Sequence, residues 1–278
     1  MRKNLLFVFF FSLITIYLHP AHSQEQNKKL RQPGQQTKGT DTIISNSFSD
    51  YTNFHKYWNY LYPWGADHNG SARMYGDSGN HANISLVDGN ILKISARSII
   101  TDEGKSSSDP HLKIKYHSGA IHAKHQVMVS DKFPRYEISG SFKAPVIKGT
   151  WPAFWVTAVN GWPPEADILE FKGDNINWQN TFITPRNVET IKIAQPDAAT
   201  NWHQYKAVLK KLSASDIAIE YYIDEKLTGT HKADFMNKPM WIIINLQMEG
   251  SSDSPGPAGT TDYYSKDILI TRSRNNIE

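Results

Sequence analysis

The 278-residue chain contains no cysteine. Disulfides are excluded, as is a lipid anchor attached through an N-terminal cysteine, so an exported form of the chain would have to be held by its own core. Long hydrophobic runs are scarce as well. The apolar run Leu5–Leu18 falls short of the about 20 residues that span a bilayer, and no stop-transfer charges follow it. Strong charge of either sign is missing: the formal net charge is +3, part of it in the N-terminal region. That is too mild to imply nucleic acid, and no run of lysine and arginine carries the interleaved aromatics of a single-strand groove. Lys192 and Lys210-Lys211 read as solvated strand faces. Helical periodicity is the last absence, since no segment keeps a 3.6-residue apolar repeat over ten or more residues.

What is present begins with a leader. Residues 1–23 read as a secretory signal peptide, with Arg2 and Lys3 as the charged end and Ala21-His22-Ser23 as a small-x-small cleavage site. This predicts a secreted or periplasmic protein with no stable membrane insertion after cleavage. Residues 24–41, rich in Gln, Lys and Gly, read as a disordered linker. Residues 42–278 then form one domain, with no internal repeat. With 39% hydrophobic and 12% aromatic residues the chain can build a large core.

Strand signals fill that domain. Ile217, Ile219, Tyr221 and Ile223 alternate with Ala218, Glu220, Tyr222 and Asp224. Val87-Asp88-Gly89-Asn90 is a hairpin turn between Ile84–Val87 and Ile91–Ala96. Further runs are His111–Lys124, Arg135–Lys143, Trp151–Val159, Asn177–Thr184, Val188–Ala194, Trp202–Leu212, Trp241–Met248 and Asp267–Arg272. Many strands and few helices predict an all-β sandwich or jelly roll of two packed antiparallel sheets.

Three acids interrupt this pattern. Glu165, Asp167 and Glu170 lie in an apolar segment that follows Trp151, Trp155 and a Gly161-Trp162-Pro163-Pro164 turn. Acids in a buried strand are unfavourable unless solvated or paired. Strict alternation puts Glu165 and Asp167 on one face and Glu170 on the other. One extra residue around Ile168-Leu169, a β-bulge, returns all three to the same side, and bulges are common beside active sites. By composition such a string arises by chance in about one chain of this length in twenty, so it needs company. Glycosidic cleavage uses two carboxyl groups, about 5–5.5 Å apart in retaining enzymes and farther apart in inverting ones. Acids on one bulged strand favour the shorter separation, although spacing alone does not say which glutamate plays which part. The competing reading is a set of solvated edge-strand residues or metal ligands, but a calcium site wants a glycine-bearing loop rather than a tryptophan-flanked strand.

The segment resembles the signature of glycoside hydrolase family 16, Glu-x-Asp-x-x-Glu, and the likeness continues along the chain. Val87–Ile91 resembles the family's Asp-Gly hairpin, Ser118-Gly119-Ala120-Ile121 its Ser-Gly-x-Ile strand, and Tyr136–Lys143 its edge-to-cleft strand. Gly149–Trp155 is similar to its Gly-x-Trp-Pro-Ala-Phe-Trp run. His203-Gln204-Tyr205 and Tyr222-Ile223-Asp224 resemble its later pieces. The resemblance implies a concanavalin A-like β-jelly-roll with an open substrate cleft. It implies an endo-acting, retaining hydrolase of β-linked polysaccharide, of β-glucan or β-galactan type. In it Glu165 is the nucleophile, Asp167 the helper and Glu170 the acid/base. Trp151, Trp155 and Trp162 become candidates for sugar stacking, each with its indole N–H still available. Trp64 and Arg73 join them as substrate-binding candidates. His68, Arg73 and Arg186 sit in loops from which they would read sulfate or hydroxyl groups, or simply be solvated. No cofactor is required and no metal ligand is assigned, a structural calcium stays open, and a monomer is expected.

Two departures leave the substrate open. Trp178–Thr184 has no histidine where many members carry one, and Asn245–Gly250 replaces a glycine-rich run. Asn245, Gln247 and Glu249 share a face that is either cleft or solvent. Two other functions compete with hydrolysis. A lectin-like carbohydrate-binding sandwich would have no use for the acids. A jelly-roll polysaccharide lyase would work through a Tyr/His pair and release unsaturated uronates.

Overall fold

The structure, a computed structural model, describes residues 39–275. The expected signal peptide and most of the expected linker lie outside the described residues, which fall within one unit. The chain opens with β1 (Thr40–Ile44), a short helix α1 (Tyr51–Tyr57), β2 (Trp58–Tyr60) and β3 (Ala72–Met74). The hairpin β4 (Ile84–Val87) and β5 (Ile91–Ser98) follows, then β6 (Tyr116–Ser118), β7 (Ala120–Ala123) and β8 (Arg135–Lys143). Next come β9 (Thr150–Ala158), β10 (Glu165–Glu170), β11 (Ile176–Thr184), β12 (Asn187–Ala194) and β13 (His203–Lys211). The chain closes with β14 (Ile217–Ile223), β15 (Lys226–Ala233), β16 (Met240–Met248) and β17 (Thr260–Ser273).

These strands make two sheets. One runs β15-β14-β13-β8-β17-β5-β6-β3, with β1 added to β17 and β4 to β5. The other runs β12-β11-β10-β9-β16-β7-β2. All strand pairings are antiparallel except β3 with β6. The expected two-sheet jelly roll is the observed architecture. Its core is the interleaved inner faces of both sheets, which is what strict alternation produces when one face of each sheet is buried. Phe142 of β8 meets Phe154 of β9 across the sandwich at 4.9 Å between ring centres. Phe142 also stacks on Tyr263 at 5.7 Å. All three side chains are fully buried.

Three expectations needed correction. The run His111–Lys124 is not one strand: β6 ends in the first sheet, β7 begins in the second, and Gly119 is the crossing point. A Cβ on Gly119 would come within 2.6 Å of Ile84 and 3.0 Å of the Asn83 carbonyl, so only glycine lets the chain pass there. The linker ends earlier than residue 41, because Thr40 and Asp41 pair with Ser273 and Arg272. The final strand is longer than Asp267–Arg272, starting at Thr260 and bending at a register shift between Lys266 and Leu269.

Candidate active site

The site is built on β10. Its register against β9 pairs Glu165 with Thr157, Ala166 with Val156 and Asp167 with Trp155, then shifts so that Leu169 meets Phe154 and Glu170 meets Ala153. Ile168 is the extra residue of the bulge. Ala166, Ile168 and Leu169 stay fully buried among the core side chains. Glu165, Asp167 and Glu170 all line one cleft of about 650 Å³. The bulge therefore does what the spacing required.

Four tryptophans line the same cleft, Trp64, Trp151, Trp155 and Trp162, together with His68, Asn245 and Gln247. Trp151 and Trp155 are buried to 8% and 6% exposure, whereas Trp64 and Trp162 are 46% and 47% exposed. The latter pair carries the ring area open to a ligand. The indole N–H groups are not held free for a sugar, as the sequence reading expected. Trp151 Nε1 donates to Glu170 Oε1 at 2.7 Å, Trp162 Nε1 to Glu165 Oε2 at 2.9 Å, and Trp155 Nε1 to Asn245 Oδ1 at 2.8 Å. Two tryptophans thus position the two glutamates.

Arg73 does not line the cleft. Its guanidinium is clasped by Asp67, with Nε at 2.8 Å and Nη2 at 3.2 Å, and reaches Glu103 at 3.4 Å. This bidentate pair pins the loop that carries His68. Arg186 is exposed in the β11–β12 turn. His68 itself is in the cleft, with its ring parallel to that of Trp155 at 5.9 Å and 5.2 Å from that of Trp64. Burial pushes its pKa down to about 4, so the imidazole is neutral near pH 7. Gln247 faces the loop, accepting from Ala72 N–H at 2.9 Å, while Glu249 lies beyond β16 and pairs with Lys115 at 2.8 Å.

The sequence reading missed Asn180, Lys172 and Thr157. Asn180 Nδ2 donates to Asp167 Oδ2 and to Glu170 Oε2, both at 2.8 Å. Thr190 donates to Asn180 Oδ1 at 2.9 Å, which fixes the amide's orientation. Lys172 Nζ lies 3.1 Å from Glu170 Oε2. Thr157 Oγ1 donates to Glu165 Oε2 at 3.3 Å. Asn180 carried a readable signal: it shares the two-residue period of Phe182 on β11, the strand next to the acids.

Electrostatics separates the acids. Burial, then the charges of Glu170 and Glu165, pushes the Asp167 carboxyl well above the usual range. Burial also raises Glu165 to about 7, an effect opposed by the hydrogen bond from Trp162 and reinforced by the charge of Glu170. Carboxyls whose affinities for a proton are raised within a single cluster are a setting for acid–base and nucleophilic chemistry. Among the described residues, no three or more His, Asp or Glu side chains gather into a cluster able to hold a metal ion. No helix among them is long and apolar enough to cross a membrane.

Comparison with known proteins gives a consistent picture. The profile of the glycosyl hydrolases family 16 matches residues 80–265. A galactan endo-beta-1,3-galactanase from Flammulina velutipes is 45% identical over 235 residues, covering 84% of this chain and 90% of its own. Among solved structures, the endo-1,3-beta-glucanase from Streptomyces sioyaensis superposes with a TM-score of 0.64 at 18% identity, covering 86% of this chain and 99% of that one. LamAcat from Zobellia galactanivorans gives 0.59 at 22% identity, covering 84% and 97%.

Proposed function

The chain belongs to the glycosyl hydrolases family 16, and from that premise we propose that it is an exported, retaining hydrolase that cleaves β-1,3-linked galactan internally. Its fold and family make it an endo-acting hydrolase of β-linked glycan. The 45% identity to a galactan endo-beta-1,3-galactanase is the observation that favours galactan over glucan.

In the reaction, Glu165 attacks the anomeric carbon while Glu170 gives its proton to the departing glycosidic oxygen. The product of this half is a glycosyl ester on Glu165. Glu170, now ionised, takes a proton from water, which opens the ester and restores both acids with the original anomeric configuration. Asp167 acts on Glu165. Its Oδ2 accepts from Asn180, which leaves the other oxygen as the place for a proton that is shared with the nucleophile as charge develops or leaves. Trp151 and Lys172 hold Glu170 from two sides. The exposed faces of Trp64 and Trp162 carry the sugar rings, whose axial hydrogens pack on an indole face.

The test is a panel of purified β-1,3-galactan, laminarin and mixed-linkage glucan, with product linkage and first-formed anomer read by NMR. Internal cleavage of galactan with the β-anomer formed first is the expected result. An α-anomer formed first would overturn double displacement, and activity on glucans alone would overturn the substrate. Export is tested separately: N-terminal sequencing of protein recovered outside the producing cell should begin at Gln24.

A further inference from the structure

Beside the cleft, the last two strands of its sheet, β11 and β12, present two unlike flanks on the face that carries the acids. On the side nearer Glu165, Phe182 lies 5.3 Å from the Trp162 ring and Val188 stands exposed beside it in register. That flank is apolar. On the side nearer Glu170 the character reverses. Trp178 is two residues before Asn180 on β11 and so shares its face, and the β11–β12 register sets Lys192 opposite it. Lys172, two residues past Glu170, projects to the same face and lines the cleft. Both ammonium groups gather over one indole. Lys192 Nζ lies 3.7 Å and Lys172 Nζ 4.8 Å from the centre of the Trp178 ring.

The charges there do not cancel. Lys172 is matched by Glu170, at 3.1 Å. Lys192 has no carboxylate within ion-pair reach among the described residues, and its ammonium sits over the ring. The concave neighbours of Lys192 in its own strand are Thr190 and Ala194, and Glu189 belongs to the opposite face. A surplus cation is thus held by an aromatic ring whose other cation, Lys172, pairs with Glu170, the acid that protonates the leaving group in the proposed reaction. A cation over an indole retains its charge and its outward N–H donors, so it remains able to bind an anion.

We propose that Trp178, Lys172 and Lys192 form an anion-accepting subsite of the cleft, which takes a sugar unit bearing a carboxylate or a sulfate next to the point of cleavage. The natural substrate is accordingly an acid-decorated galactan rather than a neutral one. The sequence reading put Lys192 on a solvated strand face; it is exposed there on the edge strand, and the register adds that this is the face of the sheet that carries Trp178 and Asn180. This inference rests on the galactan-cleaving reading above, and its test is arranged so that the two can fail separately.

The experiment compares kcat/KM of the full protein on three substrates with one backbone: neutral β-1,3-galactan, the same galactan carrying uronic acid units, and the same galactan carrying sulfate. The variants are Lys192→Ala and Lys192→Arg. The wild type should prefer one or both acidic substrates. Lys192→Ala should lose about tenfold on the preferred one, the size expected for one charge-assisted contact, and stay within about twofold of wild type on neutral galactan. Lys192→Arg should keep most of the preference. The acidic arm that responds identifies the substituent as carboxylate or sulfate. A wild type with no preference for either acidic substrate would overturn the subsite. So would an equal loss on all three substrates, which would mean that Lys192 only steadies Trp178. A wild type inactive on every galactan overturns the galactan reading itself.

Discussion

At the scale of single residues, the indole of Trp162 opposes burial in setting the charge of Glu165. Its N–H donates to Glu165 Oε2 at 2.9 Å, a bond that favours the ionised carboxylate against the burial that raises the group to about 7. On the proposed assignment Glu165 must be ionised to attack, so kcat/KM should climb through its half-maximum near pH 7 and level off about one unit above, reporting the free enzyme's carboxyl. Trp162→Phe removes the donor and keeps a ring against Phe182. It should push that acid limb to higher pH by about one unit, the size of a hydrogen bond to a charged group. A limb that stays in place would show that Glu165 does not govern it. The same carboxyl has a stability signature. Its folded pKa lies above the unfolded value of 4.5, so its contribution to stability is fully present below pH 4.5 and is lost as pH rises through about 7. Glu165→Gln should therefore be more stable than wild type at pH 8. The gain should be on the order of 2 kcal/mol, discounted because the side chain keeps some contact with the cleft. The gap should close below pH 4.5, and urea melts at both values would measure it.

At the scale of elements, β10 and its bulge decide whether there is a site. Deleting Ile168 would remove the extra residue and leave a five-residue string in which plain alternation by itself sets Glu165, Asp167 and Glu170 on one face, with Ala166 and Leu169 toward the core. The expected outcome is that hydrolysis survives at a reduced rate, with stability lowered by about 2–5 kcal/mol for the loss of the fully buried Ile168 side chain; a folded variant with no activity would show that the bulge itself sets the spacing of the acids. Glu170→Ala should instead lose about 10²–10⁴-fold in kcat, typical of removing a general acid/base, without the drop in stability, which separates a shifted acid from a missing one. This element was legible because its evidence is local: six residues, a period of two, and a count that fails by one. Asn180 and Lys172 were harder to see. Their importance depends on which strand lies beside β10 and in what register, information that no stretch of sequence holds by itself. Arg73 misled for the converse reason. A loop arginine looks available until the fold brings Asp67 and Glu103 to it. β15 gave no apolar alternation to read, because it is an edge strand with only His231 and Ala233 buried.

At the scale of the whole molecule, the ends of the described domain are tied to each other. β1 adds to β17 through Thr40, Asp41, Thr42 and Ile44. Asp41 accepts from Arg272 and from Arg274, each at 3.1 Å. That charged clasp is exposed and contributes little; the apolar anchors are Ile44 and Phe48, at 0% and 2% exposure. Without cysteine, no covalent link backs them up. A chain beginning at Gly39 should therefore melt with the chain beginning at Gln24, as should Asp41→Ala in the longer chain. A chain beginning at Ser45 loses both the strand and Ile44, and should be destabilised by about 2–5 kcal/mol, the range for emptying one large aliphatic site. It would also leave the last residues of β17 as an uncovered strand edge, a template for pairing with another copy. Its sedimentation should then depend on concentration, whereas that of the Gly39 chain should not. Equal melting temperatures and equal sedimentation for the two chains would mean that β1 follows the fold without helping to hold it.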